Sequence, residues 1–248
     1  MSPLDLKWPD LADPYASALQ EAVVFVLDRV DPVGIVACGS VIRGTPSPNS
    51  DLDIYVIHAA AWRQRIQRRF GTVPAEIFIN PPSAIRGYFE SERQAGRPIT
   101  AHMLSTGFVV LDRDPVVQGL VAEAEAALAK PPGMTPADLL FLRYLTADLY
   151  ENAVDMQHAD PATGLLILGE AIKRMVDYRF LAANIYVPRL KDRLTRLAAL
   201  DPVAERLVRQ FTQTGDIAER YRLAGDLADH ILDTQGFFEW ESDRLPVD

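Results

Sequence analysis

The sequence predicts a chain of two parts: an α/β (α+β) domain with a small mixed sheet over residues 1–130, then an all-α helical bundle over residues 131–248. Three observations carry this reading. In the first half, short apolar runs alternate with amphipathic stretches, the pattern of strands interleaved with helices. Beyond Pro131-Pro132-Gly133 nearly every stretch has helical spacing. That tripeptide is the clearest break, because the residue before a proline disfavours helix and glycine lets the chain turn. Finally, a polar segment, residues 39–53, stands between two apolar runs, Val33–Cys38 and Leu52–Ile57.

The elements follow in order. Residues 14–30 read as an amphipathic helix, with Leu19, Val23, Val26, Leu27 and Val30 near 3.6 spacing. Val33–Cys38 and Leu52–Ile57 read as the first two strands. Ala59–Phe70 reads as a helix stopped by Gly71. Arg63, Arg65, Arg68 and Arg69 would give it a basic side, read either as a solvated face or as a phosphate or partner contact. Val73–Ile79 reads as a strand, Pro81-Pro82 opens a helix ending near Gly96, Gly107–Leu111 reads as a strand, and residues 115–130 as a helix. In the second half, Thr135 is placed to cap a helix with Pro136 at its first position, running to about His158. Further helices are expected over 163–186, 188–200, 202–214 and 216–235, a bundle of four or five elements. The tail from Gly236, with Phe237, Phe238 and Trp240, either packs back or meets a second subunit, so a homodimer is one expectation.

Composition narrows the function classes. The chain has 248 residues, 48% hydrophobic and 24% charged, ordinary for a globular protein. No apolar stretch approaches the roughly 20 residues of a membrane helix. Residues Met1–Asp5 lack the basic-then-apolar pattern of a signal peptide, and a single cysteine excludes an internal disulfide. A cytoplasmic enzyme is therefore expected, with no membrane partner. The net charge is −9, split as −3 before the break and −6 after it. An acidic chain is a poor electrostatic match for nucleic acid and suits a cationic small molecule.

The polar segment carries the chemistry. Asp51 and Asp53 are two apart on a predicted strand, so both carboxylates share one face while Leu52, Ile54 and Val56 take the other. Like charges this close call for a cation. Hard oxygen ligands suit magnesium, which takes one or two carboxylates plus substrate phosphates. Two such ions can serve an in-line displacement. Gly39 permits a tight turn and close backbone approach, and Ser40 adds a hydroxyl. Together they could hold phosphate oxygens, with Arg43 lending a planar cationic fork.

Gly39-Ser40, a ten-residue loop from Val41 to Ser50, then Asp51-Leu52-Asp53 in an apolar strand resembles the signature of the DNA polymerase β-like nucleotidyltransferase superfamily. The positions of Arg43, Gly44 and Ser50 resemble those of its small bacterial members. The layout of a catalytic domain followed by a helical one resembles aminoglycoside nucleotidyltransferases of the kanamycin and streptomycin/spectinomycin type. The motif covers about a tenth of the chain. The resemblance implies an α/β (α+β) nucleotidyltransferase domain with an all-α bundle behind it. It also implies two Mg2+ ions, and ATP or another nucleoside triphosphate whose monophosphate passes to a hydroxyl on a small acceptor, with release of pyrophosphate. An antitoxin-type adenylyltransferase that modifies a partner protein and a non-catalytic nucleotide-binding sensor are the alternative readings. Gly39, Ser40, Arg43 and Ser50 would then attend the triphosphate, and Asp51 and Asp53 the metal.

The resemblance implies a third acidic residue on a later strand. Glu76 is the candidate, sharing a face with Phe78 and Asn80. It is read either as a third metal ligand or as general base on the acceptor hydroxyl. Lys173, mid-helix and one of only four lysines, is read by the same resemblance as reaching the triphosphate, or else as a surface residue. Asp148, Glu151 and Glu170 either shape an acceptor pocket or solvate helix faces. His58, His102, His158 and His230 form no recognisable metal or triad pattern. They read as structural, with His102 the one that could border a cleft.

Overall fold

The structure is a computed structural model describing residues 5–234, 237–242 and 244. The chain divides into two compact units, Met1–Lys130 and Pro131–Asp248. The first holds α1 (Tyr15–Leu27), β1 (Pro32–Cys38), the single turn α2 (Gly39–Ile42), β2 (Leu52–His58), β3 (Gln64–Phe70) and β4 (Val73–Asn80). It continues with α3 (Pro82–Gln94), α4 (Ile99–Ser105), β5 (Phe108–Asp112) and α5 (Val116–Leu128). The strands form one mixed sheet in the order β3-β4-β2-β1-β5. Only β2 and β4 are parallel; the other neighbours are antiparallel.

Alternation sorts the central strands onto two cores. Leu52, Ile54 and Val56 of β2 join Ala75, Ile77 and Ile79 of β4 and the apolar side of α1, including Leu19, Ala22 and Val23. Tyr55 and Ile57 face the other way, onto Ile85 and Phe89 of α3, Leu104 of α4 and Val117 and Leu120 of α5. This is the period-two pattern of a sheet covered on both faces. Asp53 lies on the second face, at the end of β2 beyond Tyr55.

Two elements depart from the sequence reading. Residues 64–70 are a strand, β3, where a helix over Ala59–Phe70 was expected. Ile66 and Phe70 are four apart, a spacing that fits one face of a helix or of a strand equally well. Gln and Arg have good helix propensity. Pairing decides instead: Phe70 is opposite Val73 and Ile66 opposite Ile77 across a two-residue hairpin. Gly71 sits at φ 56° in that turn. A left-handed glycine closes a hairpin as readily as it ends a helix. Residues 99–105, to which the sequence reading assigned no helix, form α4, whose Thr100 is buried and bonded to Glu92.

The second unit holds α6 (Pro136–Ala159), α7 (Pro161–Ala182), a short 3-10 turn (Leu190–Asp192), α8 (Arg193–Leu200), α9 (Pro202–Gln213) and α10 (Ile217–Leu232). Thr135 and Asp138 form a capping box at α6, with Pro136 in the first turn. Asp160, Asp201 and Asp216 cap α7, α9 and α10 with their side chains. Such a cap contributes about 1 kcal/mol. Phe238 packs into the bundle core and Trp240 against Phe141 and Tyr144, whereas Phe237 is exposed. The described part of the tail thus packs back. Gln235, Gly236, Asp243 and residues 245–248 lie outside the described residues, as do Met1–Leu4 of the N-terminal reading.

Candidate active site

The site grows from the end of β1. Gly39 follows Cys38 with φ 87°, and a Cβ there would run into Oδ2 of Asp53. Only glycine takes this conformation without strain and leaves room for that carboxylate. One helical turn later the loop carries Arg43, which is half-buried and close enough to Asp53 to offset part of its negative surroundings.

The ten-residue loop is ordered by serines. The Ser50 hydroxyl accepts from the Ser47 N–H at 2.8 Å and lies 3.0 Å from the Ser40 hydroxyl. Ser50 itself is buried. Its role here is to hold the loop and orient Ser40. Ser47 was not singled out from the sequence, and only its proximity to Ser50 could have flagged it.

Asp51 is exposed and sits just before β2 rather than within it. Asp53 is the second residue of β2. In the parallel register it lies directly beside Glu76 of β4. Asp53 feels the other two carboxylates. Burial, then Asp51, then Glu76 push the Asp53 carboxyl up to about 6, against smaller relief from Arg43 and Arg65. Glu76 is not bare, however. Its Oε1 accepts from Arg65 Nε at 2.7 Å, from Gln67 Nε2 at 2.7 Å and from Arg65 Nη2. Of the arginines placed on a helix by the sequence reading, Arg65, Arg68 and Arg69 lie on strand β3, with Arg65 turned to Glu76, and Arg63 lies just before it, donating to Tyr88 Oη.

Among the described residues no group of three or more His, Cys, Asp or Glu side chains is arranged to hold a metal ion by itself. The donor set fits magnesium in a narrower sense. Asp51 and Asp53 offer two hard carboxylates whose crowding a cation would relieve, and magnesium usually completes its shell with waters and substrate phosphates. Cys38, paired in register with Asp53, is buried; burial first and Asp53 second push its thiol well above its usual range, so it serves packing.

Other sequence candidates fall elsewhere. Lys173 is in the second unit, on α7, bonded to Glu170 at 3.0 Å on the surface. Glu151 accepts from the Phe238 N–H and Asp148 from Asn152, so both have local structural partners. His58 is buried, bonded to the Trp62 carbonyl and the Ala60 N–H. His230 meets Asp201. His102 lies within α4, near Thr106.

No protein-family model matches this sequence, and no curated protein matches it. Among solved structures, a nucleotidyltransferase-like protein from Exiguobacterium sibiricum matches over 88% of this chain and 74% of its own, with a TM-score of 0.53 at 12% identity. The two proteins share a fold. At that identity the likeness describes architecture: a mixed sheet with its helices, followed by a helical bundle. No helix among the described residues is long and apolar enough to cross a membrane.

Proposed function

We propose that the protein is a magnesium-dependent nucleotidyltransferase that moves a nucleoside monophosphate, from ATP or another triphosphate, to a hydroxyl of a small acceptor. The observation that carries this reading is the Asp53–Glu76 register beside the glycine turn. It puts a crowded carboxylate pair next to a glycine turn, the kind of backbone that a phosphate could approach. Asp51 and Asp53 would hold the metal, which when bound neutralises the phosphates and polarises the α-phosphorus. Gly39, Ser40 and Arg43 would cradle the β- and γ-phosphates, with Ser50 steadying Ser40. Lys173 is kept as a candidate triphosphate contact from the second unit.

In the transfer, the acceptor oxygen bonds to the α-phosphorus as the bond to the bridging oxygen breaks. Pyrophosphate leaves with that electron pair. The hydroxyl proton would pass to a base, the role this reading gives to Glu76, the neighbour of Asp53 in the sheet. Most of the acceleration would come from positioning and charge neutralisation. The acidic chain suits a cationic acceptor such as an aminoglycoside.

One observation favours a second reading, a non-catalytic nucleotide sensor: one oxygen of Glu76, Oε1, is already engaged by Arg65 and Gln67. A modifier of a partner protein has no such observation behind it. The deciding experiment incubates ATP, GTP, CTP and UTP with magnesium and a panel of hydroxyl compounds that includes kanamycin, streptomycin and spectinomycin. The enzyme reading expects pyrophosphate and an acceptor heavier by one nucleoside monophosphate. Nucleotide binding without pyrophosphate for any pair would leave the sensor.

A further inference from the structure

We propose that Arg65 and Gln67 are positioning residues that hold Glu76 by one oxygen and present the other to the reaction. This rests on the function proposed above. Strand β3 supplies both side chains. Gln67 is directly opposite Glu76 in the antiparallel register, and Arg65 is two residues away on the same face. Three N–H donors converge on Oε1: two from Arg65 and one from Gln67. A carboxylate oxygen has two lone pairs, so Oε1 has no capacity left for a cation or an incoming proton. Among the described residues no hydrogen bond reaches Oε2. That oxygen is the one free to act.

The arrangement differs from an ordinary surface pair, which contributes little. The Glu76 side chain is only 15% exposed, although that of Arg65 is 61% exposed. The Arg65 guanidinium lies 5.0 Å from the centre of the Phe78 ring, and Phe78 stacks on Tyr55. The fork is thus steadied from below by an aromatic pair rooted in β4 and β2. Lysine has neither the planar fork nor two donors in fixed geometry. Arg65 also supplies positive charge that Asp53 feels. Both adjacent carboxylates are therefore tied to the same guanidinium. A rotation of Glu76 about its side-chain bonds would move Oε2 by more than an ångström, and a misplacement of that size costs about 100-fold in rate.

The test has two arms on the full chain. In urea unfolding without nucleotide, Arg65→Ala lowers the midpoint, and the shift shrinks by at least half when Glu76 is already alanine, or methionine should alanine not fold. Equal shifts in both backgrounds would overturn the clamp. In pyrophosphate release from MgATP with the acceptor found in the screen, Arg65→Ala lowers kcat on the order of 10–100-fold while KM for ATP stays within about threefold. Arg65→Lys recovers only part of that loss, and Gln67→Ala loses less than Arg65→Ala. An unchanged kcat, or a loss confined to KM, would overturn the positioning role. If the wild type releases no pyrophosphate with any acceptor, the proposed function fails, and the urea arm still decides the clamp.

Discussion

Two partly enclosed aspartates, Asp53 in the sheet and Asp201 in the bundle, meet opposite surroundings. Asp201 caps α9 through the Ala204 N–H at 3.0 Å, takes Arg179 Nε at 2.7 Å and lies 2.9 Å from His230 Nε2. Burial pushes its carboxyl up, but those partners outweigh burial and hold it at about 2. Asp53 has burial, Asp51 and Glu76 against it and only Arg43 and Arg65 for it, and stands at about 6. A carboxylate satisfied by the protein itself works for the fold. One left in conflict points to a partner from outside, the usual mark of a functional site.

Breaking the Asp53 side gives the largest effect. Asp53→Asn is expected to lower transfer by about 1,000-fold or more, as loss of a metal-holding carboxylate in phosphoryl chemistry should. The same change is expected to raise stability at pH 7.5 by on the order of 1 kcal/mol, because an ionised group with a raised folded pKa weakens the fold above that pKa. Parallel rate and urea measurements check both. A variant that loses rate and stability together would erase the contrast.

Breaking the Asp201 side reverses the pattern. Asp201→Ala removes the cap and leaves Arg179 without its buried partner, so urea unfolding should show a loss of about 3 kcal/mol. Gly39→Ala sharpens the Asp53 side by sterics alone. The added methyl meets Oδ2 of Asp53 at a backbone φ of 87°, and transfer should fall by about 10–100-fold with a smaller cost in stability.

The smallest expected effect is acid lability. The folded carboxyl of Asp201 is at about 2, below its ordinary 3.8. Its contribution is therefore complete above about pH 4 and lost as pH falls through 2. The shift corresponds to on the order of 2 kcal/mol. Wild type and Asp201→Asn compared by unfolding at pH 6 and pH 2.5 should show a gap that shrinks by about half or more at the lower pH; a constant gap would show that the aspartate acts by shape.

The sequence made different parts of this contrast legible. Asp51 and Asp53 could be named from a polar pair spaced two apart at an apolar run, although Asp51 stands just before β2; Glu76 was named through the family resemblance, and the structure places it beside Asp53. Helices of the second half were legible from Thr135 and Pro202 at the starts of α6 and α9, and α7 begins two residues before the expected 163. Strand β3 was not, since Ile66, Phe70 and Gly71 fit two periods and the pairing that decides between them is non-local. Misplacing β3 hid the Arg65–Glu76 contact. The Asp201–His230 contact spans 29 residues and no spacing rule reports it.

The account rests on Asp53 as a carboxylate held in conflict for the sake of a cation and a triphosphate. The most direct test measures magnesium-dependent pyrophosphate release by wild type and Asp53→Asn, each shown folded by circular dichroism. The account predicts release by the wild type that disappears on chelation, and a folded, at least equally stable variant with almost none. Equal release by both proteins, or release indifferent to chelation, would contradict it.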